Sequence, residues 1–356
     1  MKNASIEAVP HFHTDFYAPY SAGFVEEHRS AYVGALKGEL VVCFQQILER
    51  EFTRTVCIYH SMDWIHISAL MGALSELDPS DRARLRHEVI LLFDLGLSKT
   101  LEVHDHDRYS NYKAVVDELE GASDINLHPT CDRQRRSLQN LWQGRAGSSA
   151  AVPHKQTIAP FFLGTWSGSG LLHSSSPSMP LARVIAFCGE PRQDKGFDRL
   201  PQTIRGLIRR FGQDLQVTIQ LSRSLNELPY ALRSAGQFVA QSEKRLGVRV
   251  IESRLSNGAL RELMLEHDLV ILNYNSDAYR HKTSGILWLA AYLGVSVAVP
   301  ADTWLEEEAV NLGLPHFVLS DDAPNGELVI TPTQEAYACE VFASFDEWLE
   351  ERLHAA

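Results

Sequence analysis

Residues 182–221 read ARVIAFCGEPRQDKGFDRLPQTIRGLIRRFGQDLQVTIQL, and their pattern decides the fold. Ala182 to Cys188 is a short apolar run. Leu200 to Phe211 carries its apolar residues at helical spacing, and Val217 to Leu221 reads as the next strand. Runs of about five residues without polar alternation are strands buried on both faces, and a helix between two of them makes them parallel neighbours. The unit repeats downstream. Asn226 to Leu246 has helical spacing and leads to a strand over Val248 to Ile251, and a helix over Gly258 to His267 leads to a strand over Leu269 to Tyr274. A helix over Ser284 to Leu293 precedes a strand over Val295 to Val299, and one over Trp304 to Leu312 precedes a last strand, His316 to Ser320. A doubly wound α/β domain is the expected architecture.

Upstream the pattern is weaker but of the same kind. Arg54 to Tyr59, Val89 to Phe93, Ile125 to Leu127 and Thr157 to Phe162 read as strands, and Ala22 to Ala35, Trp64 to Leu77, Asn111 to Leu119 and Asp132 to Trp142 as helices. Between the halves, residues 164–180 are rich in Gly, Ser and Pro and lack periodicity, which marks a linker. The acid-rich finish, Thr333 to Leu353, reads as a long amphipathic helix. The 356 residues therefore divide into a Rossmann-like domain over 1–168, a second over 169–332 and a terminal helix within 333–356.

Composition narrows the function. With 45% hydrophobic and 22% charged residues the chain has apolar mass for two cores, which excludes a disordered or disulfide-stapled protein. A formal charge of −12 and no long basic run argue against nucleic acid as a partner. The five cysteines are scattered without a Cys-x-x-Cys pair and read as free thiols in a reducing compartment. The first residues hold no apolar export segment, and the longest apolar stretch, Ile286 to Ala301, is too short to span a bilayer, so a cytoplasmic location is expected. The sequence leaves oligomeric state open.

In an open parallel sheet ligands bind beyond the carboxyl ends of the strands. After the first strand of the second domain comes Gly189-Glu190-Pro191-Arg192-Gln193-Asp194-Lys195-Gly196-Phe197-Asp198, with two cations, Arg192 and Lys195, at one strand end. Such a pair suits a diphosphate, and the loop is neither a Gly-x-Gly-x-x-Gly fingerprint nor a P-loop. After Leu269 to Tyr274 comes a polar loop carrying Asp277, Tyr279 and Thr283, then Ser284 as N-cap and Gly285 opening an apolar helix whose first-turn amides and dipole favour an anion.

These residues resemble a family. Gly189, Arg192 and Lys195-Gly196-Phe197-Asp198, followed by Tyr279, Ser284-Gly285 and Ala290-Ala291-Tyr292-Leu293-Gly294-Val295, look like the donor domain of GT-B glycosyltransferases, closest to the family 4 group; the likeness covers roughly residues 182–305. The resemblance implies two Rossmann-like domains whose parallel sheets face a central cleft, with the terminal helix crossing back to the first. It implies a sugar moved from a nucleoside-diphosphate-sugar to a hydroxyl acceptor, a carbohydrate by expectation, with neither metal nor further cofactor. By it, Gly189, Arg192, Lys195, Thr283, Ser284 and Gly285 hold the diphosphate. Ser253, Arg254 and Ser256, at another strand end, border the nucleobase or sugar together with Asp277 and Tyr279. Retaining members carry two glutamates eight residues apart; His281 and Leu289 stand in those places, so the stereochemical outcome is not implied. A nucleotide-sugar epimerase on the same fold and a non-catalytic sugar-nucleotide-binding subunit are the rival readings.

A base for the acceptor belongs to the first domain, and His60 and Asp94, both at strand ends, are the candidates. The opening loop offers His11, His13, Asp15 and Tyr17 as acceptor contacts. The His-x-His spacings at 11 and 13 and at 104 and 106 suit polar loops as well as a metal, and no metal site is expected.

Overall fold

The computed structural model describes residues 26–50, 55–62, 64–91, 124–136, 182–212, 214–280, 282–320, 329–332 and 345–354. The chain divides into two compact units, Met1–His154 with Leu349–Ala356, and Lys155–Trp348. Among the described residues no helix is long and apolar enough to cross a membrane.

The amino-terminal unit contains α1 (Glu26–Leu48), β1 (Thr55–Met62), α2 (Trp64–Leu74), α3 (Pro79–Arg82), β2 (Leu85–Leu91) and β3 (Ile125–His128). The three strands form a parallel sheet in the order β1-β2-β3, with Ile58 opposite Glu88 and His87 opposite Ile125. Helix α1 runs well past Ala35, where the sequence pattern ended it. Gly34 and Gly38 interrupt the pattern, but a methyl at either would meet nothing within 4 Å, so they lie off the packed face. The helix continues because Tyr32, Leu36, Leu40 and Phe44 recur at every fourth position and are buried against Ile67, Leu70 and Leu74 of α2. Strand β2 begins at Leu85 rather than Val89. Its opening looks polar in sequence, yet the side chains of His87 and Glu88 are wholly buried.

The carboxy-terminal unit holds β4 (Arg183–Gly189), α4 (Leu200–Phe211), β5 (Gln216–Leu221), α5 (Arg233–Leu246), β6 (Arg249–Glu252), α6 (Asn257–Leu265), β7 (Leu269–Ile271), α7 (Gly285–Leu293), β8 (Ser296–Pro300), α8 (Trp304–Asn311), β9 (His316–Ser320) and β10 (Val329–Pro332); α9 (Phe345–His354) follows. The sheet order is β10-β9-β8-β7-β4-β5-β6, parallel except for β10, which pairs antiparallel with β9 at the edge. That edge strand corrects the reading of His316 to Ser320 as the last. Helix α4 buries Leu200, Thr203, Ile204 and Leu207, one face at helical spacing, each large apolar side chain contributing about 2 kcal/mol. The helix read from Asn226 begins only at Arg233, because Pro229 breaks the segment into two short 3-10 turns, Leu225–Glu227 and Tyr230–Leu232. Strand β7 stops at Ile271, since the Tyr274 amide turns back to the Leu272 carbonyl at 2.7 Å and takes the chain out of the ladder.

The first strand of this unit, β4, lies between β5 and β7. The chain therefore winds one way from β4 through β5 to β6, then returns and winds the other way through β7, β8 and β9. The order reverses between the carboxyl ends of β4 and β7, and a crevice forms there because the two following loops leave in opposite directions.

Candidate anion site at the switch point

The two loops with the candidate diphosphate residues are the two that leave this crevice. They are packed together tightly. Gly196, at φ +71°, sits so close to the chain after β7 that a methyl group there would lie 1.7 Å from the Asn273 carbonyl oxygen. The Asn275 amide donates to the Asp194 carbonyl at 2.9 Å, and Asn273 Nδ2 donates to Thr203 Oγ1 of α4 at 2.9 Å.

Side chains continue the seam. Arg192 donates through Nε and Nη2 to the two carboxylate oxygens of Asp194, at 3.0 and 3.2 Å, and also to the Tyr279 hydroxyl. Lys282 reaches the same carboxylate from the second loop, Nζ to Oδ2 at 3.4 Å. Lys195 folds back over the strand end, its Nζ 3.4 Å from where a Gly189 side chain would begin. It forms no ion pair among the described residues. Burial, then the neighbouring Arg192 charge, lower its pKa, against a smaller opposing pull from Cys188, Asp194 and Glu190.

Tyr274 and Tyr279 are buried beneath the second loop with ring centroids 4.4 Å apart. Burial and the Asp194 charge push the Tyr279 phenol up to about 12, and burial raises that of Tyr274 further, so both remain neutral donors. Helix α7 opens at Gly285. Ser284 holds the N-cap place in extended geometry but gives no capping bond, which leaves the first-turn amides without a side-chain cap. The helix is fixed by Trp288, whose indole donates to Glu308 of α8 at 2.9 Å and whose ring meets Trp304 edge-on.

Gln220, at the end of β5, was not singled out in the sequence, yet it ties three strand ends together. Its Oε1 accepts from the Gly189 amide at 3.0 Å and the Cys188 thiol at 3.4 Å, and its Nε2 donates to the Ser253 carbonyl at 2.8 Å. An amide side chain at the penultimate place of the strand Val217 to Leu221 is the available signal. Asp194 and Lys282 were also missed as site residues, because charged residues in loops are common and only the fold brings these two together.

The structure thus joins Gly189, Arg192, Lys195, Tyr279, Ser284 and Gly285 around one crevice. Asp277 pairs with Arg280 and points mostly to solvent. Ser253 is engaged through its carbonyl, and Ser256 caps α6 by accepting from the Ala259 amide at 3.2 Å. Arg254 lies in the same short connection. Leu289 is buried in α7, while His281 lies outside the described residues.

In the amino-terminal unit, Asp94, His11, His13, Asp15 and Tyr17 lie outside the described residues, as does the side chain of His60 in β1. What the described sheet does show is a buried ionic cluster. Glu88, mid-strand in β2, accepts from His128 Nε2 at 2.5 Å and from Asn126 Nδ2 at 3.2 Å, pairs with Arg86 at 2.6 Å, and feels the charge of Arg352 in α9. Burial alone would raise its pKa; His128 and the arginines hold it below the usual carboxylate range.

No family model and no curated protein matches the sequence. Solved structures do. The chain is similar to α,α-trehalose 6-phosphate synthase from Burkholderia multivorans at 9% identity and a TM-score of 0.51, over 83% of this chain and 65% of that one. It is similar to α,α-trehalose-phosphate synthase (UDP-forming) from Burkholderia vietnamiensis at 9% identity and a TM-score of 0.50, over 83% and 69%. A likeness to the trehalose-6-phosphate synthase OtsA, at 8% identity and a TM-score of 0.48, covers 79% of this chain and 65% of that one, so the chain spans about two thirds of the proteins it matches. These neighbours are GT-B glycosyltransferases, and what the likeness shows is the fold: an α/β chain of the GT-B type.

Proposed function

We propose that the carboxy-terminal unit binds the diphosphate of a nucleoside-diphosphate-sugar and that the protein is a glycosyltransferase acting on a hydroxyl acceptor. The observation carrying this reading is that two cation-bearing loops and the uncapped start of α7 converge where the strand order reverses. Crevices of this position and charge suit phosphate groups. The fold likeness to glycosyltransferases supports reading the phosphate ligand as a sugar donor.

In the proposed reaction the bond between the sugar's anomeric carbon and the β-phosphate oxygen breaks, and the nucleoside diphosphate leaves with the electron pair. The acceptor oxygen forms the new bond and gives up its proton. Lys195, Arg192 and the first amides of α7 stabilise the charge growing on the leaving phosphate, a role that fixed donors in a half-buried site perform well. Tyr279 orients Arg192, and Gln220 sets the strand end from which Gly189 and Lys195 depart. The proton acceptor and the hydroxyl substrate are assigned to the amino-terminal unit.

Calorimetric titration with UDP, GDP and ADP tests the binding half; at least one should bind in the micromolar range, and failure of all three sinks the reading. Product analysis with radiolabelled nucleotide-sugars tests the rest. Sugar transfer that requires an added acceptor supports it. Product without any acceptor would mark an epimerase, and binding without turnover would mark a non-catalytic subunit.

A further inference from the structure

We infer that Asp194 is a built-in counter-ion of this site, which occupies Arg192 and Lys282 and must release them to a polyphosphate ligand. The inference rests on the donor-site reading and goes beyond it by giving the site an internal competitor that sets its affinity.

The geometry is specific. One carboxylate takes both Arg192 contacts, at 3.0 and 3.2 Å, and the Lys282 contact at 3.4 Å, so a single negative charge from the first loop holds a cation from each loop. Its backbone is pinned, because the Asp194 carbonyl accepts from Asn275 at 2.9 Å. Its side chain is partly exposed, as are those of Arg192 and Lys282, so the carboxylate can turn aside by rotation about χ1 without moving the loop. Arg192 has a second hold on Tyr279, which keeps the guanidinium in place when Asp194 leaves it.

Lys195 differs. It makes no ion pair among the described residues, so it meets an anion without displacing a partner, whereas Arg192 and Lys282 are recruited by exchange for Asp194. A ligand with one charge gains little from that exchange. A diphosphate outbids the carboxylate because it offers more charge and more acceptor oxygens.

The test uses inorganic pyrophosphate and UDP as probes, titrated into the wild type, Asp194→Asn and Asp194→Ala at low ionic strength and again in added salt. Removing one fixed negative charge beside the ligand should tighten binding about tenfold at low ionic strength, with the gain shrinking as salt screens it. Lys282→Ala should cost more affinity in the Asp194→Asn background than in the wild type, since only there is its charge fully available to the ligand. Unchanged or weaker binding by both Asp194 variants overturns the inference and leaves the donor-site reading standing if the wild type binds UDP. If the wild type binds neither pyrophosphate nor any of UDP, GDP and ADP, the donor-site reading falls and the inference with it.

Discussion

The two units use the same strand–helix grammar and place their charges in opposite ways. In the carboxy-terminal unit the cations sit in loops beyond the strand ends, and their one paired carboxylate is replaceable: Arg192 and Lys282 share Asp194, and Lys195 has no ion pair among the described residues. In the amino-terminal unit Glu88 and His87 lie within a strand and His128 closes one, all wholly or almost wholly buried, and Glu88 is held by several donors at once. Position along the strand decides which outcome is available. A charge beyond the strand end keeps access to water and ligand. A charge in mid-strand is sealed from water, and leaving it without partners is costly there. The first arrangement is suited to binding, the second to holding the fold.

The comparison breaks most easily at Glu88. Glu88→Ala leaves Arg86 and His128 facing an apolar interior without their carboxylate, and should cost about 4 kcal/mol of stability. Urea unfolding would register it, while UDP affinity of the folded variant stays as in the wild type. A stability change under about 1 kcal/mol would mean the cluster is not the tie described.

His87 comes next. Burial lowers its pKa from 6.5 to about 4, its ring lying between Phe44 and Tyr59 with Nδ1 bonded to the Tyr59 hydroxyl at 2.9 Å. Between those values the unfolded chain binds a proton that the folded chain refuses. The contribution is therefore complete above the unfolded pKa and is lost as pH falls towards the folded one, by at most about 3 kcal/mol. His87→Phe should flatten the fall in stability between about pH 7 and pH 4 relative to the wild type. Parallel pH profiles for the two proteins would refute the assignment.

Much of this was legible in the sequence, and unevenly so. Leu200 to Phe211 and His316 to Ser320 were read to the residue because an apolar period or a short apolar block sits between clear stops. Helix α1 is longer and β2 begins earlier than the pattern predicts for one common reason: burial, not composition, decides those segments, and a wholly buried His87-Glu88 pair looks like a loop until its partners from distant strands are known. At the site, Arg192, Lys195, Ser284 and Gly285 were visible from strand-end position. Asp194, Lys282 and Gln220 were not, since their roles exist only through contacts between segments separated by 31 to 88 residues.

The remaining predictions bear on the loops. Arg192→Ala combined with Lys195→Ala removes two charge-assisted contacts and should weaken UDP about a hundredfold, close to 2.7 kcal/mol, with little change in melting temperature because neither side chain is part of a core. Equal affinity in the folded double variant would place the ligand elsewhere.

The smallest effect is the most local. Gly196→Ala puts a methyl group 1.7 Å from the Asn273 carbonyl oxygen and 2.8 Å from its carbon, and forces a side chain onto a residue at φ +71°. The conformational part alone costs about 1 kcal/mol. Gly294→Ala, at φ +69° with nothing within 4 Å, isolates that part. Any excess measured at Gly196 over Gly294 is the cost of parting the two loops, and about 1 kcal/mol more is expected, since backbone must shift rather than a flexible side chain. The two variants should also separate in function. Parting the loops moves Arg192 and Lys195 away from the start of α7, so UDP binding should fall severalfold in Gly196→Ala and not in Gly294→Ala. Equal affinities with unequal stabilities would show that the seam supports the fold without aligning the site.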